Sequence, residues 1–355
     1  MGAVIYYFSY GTLLLLTFVK RCDKLTHLLI YWTVLIALFL FVGTRFEVGC
    51  DFSTYQLHYS LGAQKYYSEA LALRDPGHWL LIRVLNDYNF GPFSLNVVAS
   101  GVFFLGIHVM ARKQPNPLAF LVLCFPILII NMPMAATRQS MAIGFMCLAF
   151  AAFADRRLIL YILWIMIGFL FHSSILIFIL IAPFAGGILN RRRMLVSALL
   201  AVPGVLALLS SDSASLAQGR YINSGVEAAG SAFRLGLLFL TGLLFFSKLA
   251  PAWRRQFPGD YSLAVVGGFF MVGFLSMYFI STVIGDRFGY YLVPLQAMII
   301  ARIPYLNLGK SKNTLTIAPY AVLSFVFVVW MQLSWHFQKC YLPYQSWIFG
   351  VPGGS

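Results

Sequence analysis

Charge is scarce in this sequence. Only 10% of its 355 residues are Asp, Glu, Lys or Arg, whereas soluble domains carry about 25%. That shortage excludes an ordinary soluble enzyme. Metal-ligand spacing is missing as well: the six histidines show no HxxxH or HExxH pattern and the carboxylates form no DxD cluster. No metal and no cofactor is therefore expected. No Gly-rich phosphate loop appears, which argues against an ATP-driven pump. The five cysteines are scattered, with no CxxC pair. Cys124 and Cys147 read as buried apolar filler. A bond between Cys50 and Cys340 would need an oxidising compartment and is not the expected state.

What is abundant is apolar sequence: 60% of residues are hydrophobic and 17% aromatic. A membrane-crossing helix needs about 20 mostly apolar residues, and such runs follow one another along the chain. They are continuous, not the alternating segments of a membrane β-barrel. The expectation is an all-α, polytopic helical bundle forming one transmembrane domain over 1–355. Apolar spans fall near 3–19, 27–43, 91–111, 117–131, 135–153, 158–171, 173–189, 194–210, 233–249, 261–281, 286–303 and 314–334. That makes about twelve crossings, with ten to thirteen compatible. The pair 158–171 and 173–189 is short and reads equally as one broken helix. The first run is followed by "KRCDK", a retained loop and not a cleavage site.

The net charge of +14 is explained by topology. Sixteen of the 25 Lys and Arg residues fall in loops on one side of this scheme, beside only Asp23, Asp155 and Asp260. That side is cytoplasmic by the positive-inside rule, and no nucleic-acid partner is implied. Both termini then face outward. The outer side holds two long segments, 44–90 and 210–232, and an aromatic tail, 335–355. Within the first, 77–88 reads as an interfacial or re-entrant helix, too short to cross.

Arg45, Glu47, Asp51, Arg138, His172, Arg220, Asp286 and Arg287 gather at or near the outer ends of spans. A charge facing lipid costs several kcal/mol. These residues are therefore expected to face a polar cavity and one another. Nothing else in the composition says what that cavity holds.

Several stretches carry a resemblance. "GTRFEVGCDFSTY" resembles the opening motif of the EpsG-like family: Arg, then Val-Gly, then Asp, then Tyr four residues on. "DPGHWLLIRVLN" is similar to its short outer helix, "TRQSMAIGF" to its Arg-Gln helix start and "FHSSILIF" to its His-Ser segment. "GRYINS", "DRFGYYLVP" and "YLPYQSWIF" complete the order. Cys50 stands where a threonine or similar small residue is usual, which removes a hydroxyl contact. The family is similar to Wzy-type polysaccharide polymerases of the bacterial cytoplasmic (inner) membrane. The resemblance implies joining of undecaprenyl-pyrophosphate-linked oligosaccharide repeat units on the outer, periplasmic face. Membrane lipid and a chain-length regulator are the further partners it suggests.

That chemistry assigns expected roles. A departing pyrophosphate needs cations, and guanidinium groups bind phosphate oxygens as a fork. Arg138 and Arg287 are the leading pair, with Arg45 and Arg220 next. The plain alternative is that they anchor spans or neutralise Glu47, Asp51 and Asp286. The attacking sugar hydroxyl calls for a base. Asp51, Glu47 and His172 are the candidates, although nearby cations would weaken a carboxylate. Asp286 is expected to orient Arg287 or Arg138. Tyr55, Tyr221, Tyr290, Tyr344 and Gln139 are expected to contact sugar, against the alternative of an interfacial aromatic belt. A lipid-linked oligosaccharide flippase, a glycan ligase and an O-acyltransferase are the competing functions. A flippase would place its charges midway and between symmetric halves, which this sequence does not show.

Overall fold

The computed structural model describes residues 2–19, 23–185 and 230–350, together with Leu195, Leu199 and Ala228. These residues are overwhelmingly helical. Among the described residues, six helices are long and apolar enough to cross a membrane: Lys24–Gly43, Phe93–Arg112, Thr137–Ala154, Ser231–Gln256, Pro258–Ile280 and Gly309–Leu333. The other expected crossings fall on four shorter apolar helices, Val4–Thr17, Pro117–Ile129, Leu158–Phe169 and Ser173–Phe184, and on Thr282–Arg302. The last, 194–210, lies almost wholly outside the described residues. The short pair is two separate helices, and the second, Ser173–Phe184, is wound as a 3₁₀ helix.

Local chemistry sets several boundaries. Asp23 caps Lys24–Gly43 by accepting from the Leu25 and Thr26 amides, the standard role of an N-terminal carboxylate. Asn116 caps Pro117–Cys124, with proline at the first position. Ser281 and Ser334 cap Thr282–Arg302 and Trp335–Cys340. Short π-helical turns at Phe125–Ile129 and Phe245–Leu249 interrupt longer helices near Pro126 and Pro251.

The chain packs as two compact units. The first comprises 1–145, 167–173 and 317–355; the second comprises 146–166 and 174–316. In the first, the helices Phe93–Arg112 and Thr137–Ala154 meet at glycine. A Cβ on Gly106 would collide with the Gly144 backbone, and one on Gly144 with the Val102 carbonyl. Small residues permit this approach where lipid supplies no hydrophobic drive between helices.

The segment 44–90, expected on the outer side, holds three helices, α3 (Phe52–Gly62), α4 (Tyr67–Ala72) and α5 (Pro76–Asp87), which follow α1 (Val4–Thr17) and α2 (Lys24–Gly43). Each is too short to cross a membrane. α5 occupies the stretch expected as a short outer helix. Tyr55, Tyr59, Ile82, Leu85 and Leu95 form a core that joins α3 and α5 to the helix beginning at Phe93.

The C-terminal tail returns to the opening motif. Arg45–Phe46 pairs antiparallel with Gln345–Ser346, with Arg45 opposite Ser346. The Gly49 amide donates to the Cys340 carbonyl at 2.6 Å, and the Trp347 amide to the Thr44 carbonyl at 3.0 Å. This pairing brings the Cys50 and Cys340 Cα atoms to 4.8 Å, and their sulfurs are joined as a disulfide. The expectation that these cysteines stay apart is thereby corrected. Spacing in sequence carried no sign of it, because the two are separated by 290 residues.

In the second unit, the helix Ser231–Leu244 lies against Tyr261–Gly273 and Thr282–Arg302. Gln296 ties the first and third together, its amide donating to the Leu237 carbonyl and the Thr241 hydroxyl, each at 2.9 Å. At one end of this unit Arg302 is buried. It pairs with Asp260 at 2.6 Å and lies over the Trp253 and Phe257 rings.

Candidate functional site

The opening motif positions a helix start. Arg45 is only 1% exposed. Its Nε donates to the Met134 carbonyl and Nη1 to the Val42 carbonyl, both at 2.9 Å. Nη2 donates to Asn96 Oδ1 at 3.0 Å and to Thr137 Oγ1 at 3.4 Å. A buried cation is tolerated only when its donors are satisfied, and these acceptors fix the turn at Met134–Thr137. Gly49 lies against the same Met134 carbonyl at φ +101°, where a Cβ has no room. Together they set where the helix Thr137–Ala154 begins, and so where Arg138 and Gln139 stand. Gln139 is buried, while Glu47 and Asp51 are exposed.

Arg138 leads to a residue the sequence reading passed over. Its Nη1 donates to Asp75 Oδ2 at 2.9 Å. The Asp75 side chain is 4% exposed and that of Arg138 is 31%, so the guanidinium reaches outward from a buried carboxylate. Asp75 immediately precedes α5, where an aspartate usually caps the helix amides. Here it makes no cap bond. Oδ1 accepts from the Ser173 amide at 3.2 Å, and Arg74 donates to Ser173 Oγ at 3.1 Å. Asp75 also holds a left-handed backbone, φ 59° and ψ 58°, a conformation that costs free energy unless its surroundings fix it. Burial pushes its carboxyl above the usual range, while Arg138 and Arg74 pull it back.

The 170–173 corner docks on the same spot. The Gly77 amide donates to the Leu170 carbonyl at 2.8 Å, and a Cβ on Gly77 would press on Leu170. His172, half-buried, is the immediate neighbour of the serine bonded to Asp75. Behind Arg138, the Tyr55 hydroxyl accepts from the Arg138 amide at 3.3 Å. The Tyr55 ring stands 5.7 Å from His78 and 5.9 Å from His58, and the two imidazoles are 5.6 Å apart. His78 is 0% exposed, and neither of its ring nitrogens finds a hydrogen-bond partner among the described residues. Burial pushes its imidazole well below the usual histidine range, helped by the Arg138 and His58 charges. His58 is lowered for the same first reason, with Arg138 second.

The second unit has its own charged group. Asp286, expected beside Arg287 or Arg138, forms its ion pair with Arg234, Nε to Oδ1 at 2.6 Å. The Arg234 guanidinium lies 5.2 Å from the centre of the buried Tyr290 ring. Arg287 is half-buried one residue on. Arg220 and Tyr221 lie outside the described residues. Tyr344 is buried in the first unit, stacked on Phe41 at 4.8 Å and donating to the Phe41 carbonyl at 2.6 Å.

One group of potential metal ligands occurs among the described residues. Cys50, His336 and Cys340 bring ligand atoms within 4.8 Å of one another, but the two sulfurs are spent on each other.

A model of the EpsG family matches residues 28–346. The chain belongs to the EpsG family. No curated protein and no solved structure matches it. EpsG is a family of Wzy-like polysaccharide polymerases, so the general activity of this EpsG chain is polysaccharide polymerisation, in a multi-pass membrane setting. Among the residues that the sequence alone did not mark, Asp75, Arg74, His58, His78 and Arg234, only Asp75 and His78 had an available signal. The "DPGHW" stretch puts an acid just before Pro-Gly and a histidine just after it, at the start of a helix.

Proposed function

We propose that this EpsG-family chain joins undecaprenyl-pyrophosphate-linked oligosaccharide repeat units by glycosyl transfer, on the outer face of the bacterial cytoplasmic membrane. A hydroxyl of one unit attacks the anomeric carbon of the other. The bond from that carbon to the pyrophosphate oxygen breaks, undecaprenyl pyrophosphate leaves with the electron pair, and the hydroxyl proton passes to a base. The charge that develops on the leaving group is the principal demand on the protein.

The observation that carries this reading is Arg138. It sits at the start of an 18-residue helix, Thr137–Ala154, whose dipole favours anions at that end. Its guanidinium is steered by buried Asp75 and extends outward. That is the arrangement a departing diphosphate requires. Arg287 is proposed as a second cation for the same charge. His172, Asp51 and Glu47 remain the proposed bases. His172 is chain neighbour to Ser173, which bonds Asp75, and so is favoured. The Cys50–Cys340 disulfide supports the outer placement of this motif, because such bonds persist in oxidising compartments.

The test is a reconstituted assay on lipid-linked repeat units with the full-length chain. Wild-type protein is expected to give a ladder of lengths and release undecaprenyl pyrophosphate. Arg138→Ala is expected to leave single units unjoined. A normal ladder from Arg138→Ala would overturn the assignment of the leaving-group site.

A further inference from the structure

The outer lobe carries a second group of aromatic and charged side chains that the chemistry above does not use. Tyr67 and Tyr88 are 47% and 73% exposed, and Tyr66 is 76% exposed. Tyr67 is not a loose surface ring. Its hydroxyl donates to Asp87 Oδ2 at 2.6 Å, and the Arg83 guanidinium stands 5.8 Å from its centre. Arg83 in turn pairs with Asp87 at 2.5 Å and donates to the Ala63 carbonyl at 2.7 Å. Below them the lobe is rigidly built. Ile82 and Leu85 are in its core, Asn86 donates to the Ile82 and Tyr59 carbonyls, and the Tyr59 hydroxyl donates to the Phe90 carbonyl.

We propose that Tyr67, Arg83, Asp87 and Tyr88 form an oligosaccharide-binding surface that holds the growing glycan away from the reacting centre. A pyranose ring has an apolar C–H face and hydroxyls at its edge. A fixed phenol ring takes the face. A carboxylate and a guanidinium beside it exchange paired hydrogen bonds with neighbouring hydroxyls. The surface lies at the far end of α5 from Asp75. Within α5, a rise of 1.5 Å per residue places Arg83 about 12 Å and Asp87 about 18 Å along the helix axis from Asp75, a distance spanned by several sugars. Charged and polar residues interleave the tyrosines here: Gln64, Lys65, Ser68, Glu69, Arg83, Asp87 and Asn89. Tyr67, tied to Asp87 and Arg83, differs in this from a belt residue; Tyr88 lies five residues before the span Phe93–Arg112, and its place in water or in the interface is what the lipid-quenching arm below decides.

The consequence is retention. A polymer tethered at a second point re-engages at high effective concentration, so more units join before release. The surface changes product length and leaves the joining step alone. This inference rests on the polymerase reading, and the experiment separates the two.

Full-length wild type, Tyr67→Ala, Tyr67→Phe and the double variant Tyr67→Ala with Tyr88→Ala are compared at equal membrane abundance. Two quantities are read: conversion of single repeat units to dimers, and the length distribution at long times. Binding of the repeat-unit oligosaccharide, released from its lipid, is measured on the same proteins. Tyr67→Ala is expected to weaken that binding roughly two- to tenfold and shorten the chains, with dimer formation unchanged. Tyr67→Phe keeps the ring and is expected to lie between. Unchanged affinity and unchanged lengths in the double variant would overturn the surface. So would quenching of a Tyr88→Trp reporter by brominated lipid, which would place the site in the membrane interface. Failure of wild type to form dimers counts against the polymerase reading instead.

Discussion

Asp75 receives the Arg138 guanidinium at 2.9 Å from a left-handed backbone position at the head of α5. The pair joins α5 to the start of a membrane helix, and it is asymmetric: the carboxylate is buried and the guanidinium reaches out. An ion pair serving stability alone gains little from that asymmetry. A cation held ready for an anion gains from it.

Asp75→Asn is accordingly expected to cut polymer formation at least tenfold while the protein still inserts and purifies. The amide keeps the shape and loses the charge that steers Arg138. Arg138→Lys is expected to rescue little, because an ammonium has no fork. Glycan ladders and membrane abundance, measured together, check both.

Arg45→Ala should behave differently. Its guanidinium is buried and its donors go to carbonyl, amide and hydroxyl acceptors. Truncation strands those acceptors, at about 1–3 kcal/mol for each one left unsatisfied. Lower thermal stability in detergent and reduced membrane levels are the expected outcome. A variant that stays as stable as wild type would contradict the scaffolding role.

The disulfide makes a chemical prediction. Without reductant, Cys50 and Cys340 should resist alkylation and appear as one linked peptide by mass spectrometry. Cys50→Ser is expected to lower stability by about 2–4 kcal/mol, read as a fall in melting temperature.

Acid should loosen the lobe formed by α3 and α5. His78 and His58 have folded-state values pushed down by burial. As pH falls below about 6.5, the unfolded chain takes up protons that the folded chain refuses. Stability is therefore full above that value and declines on acidification, by up to about 1.4 kcal/mol per pH unit for each fully shifted histidine. His58 is the more exposed and contributes less. Melting temperatures from pH 8 to 5 should fall for wild type and fall less steeply for His78→Phe.

The helical membrane class was legible in sequence because lipid imposes it: apolar runs of crossing length have few other uses. Arg138 stood out because an arginine one turn into an apolar helix is costly unless occupied. Its partner was hidden. Asp75 sits in a polar loop where acids are common, and it is covered only in the fold, by Arg138 and the 170–173 corner. His78 was obscured for the same reason, since its burial depends on α3 packing across it. Arg45 carried the opposite difficulty: a motif arginine at a span end resembles a ligand residue, and three of its neutral acceptors, on Asn96, Met134 and Thr137, come from distant stretches. Cys340 met Cys50 through a strand of only two residues, too short to leave an alternating pattern.

That short strand has a consequence for biogenesis. Gln345 and Ser346 leave the ribosome long after Arg45 and Phe46, whose backbone pairing they complete. A nascent chain therefore carries an unfinished arginine scaffold until that distant segment has been made. Messages cut short upstream of codon 345 should yield inserted but inert protein.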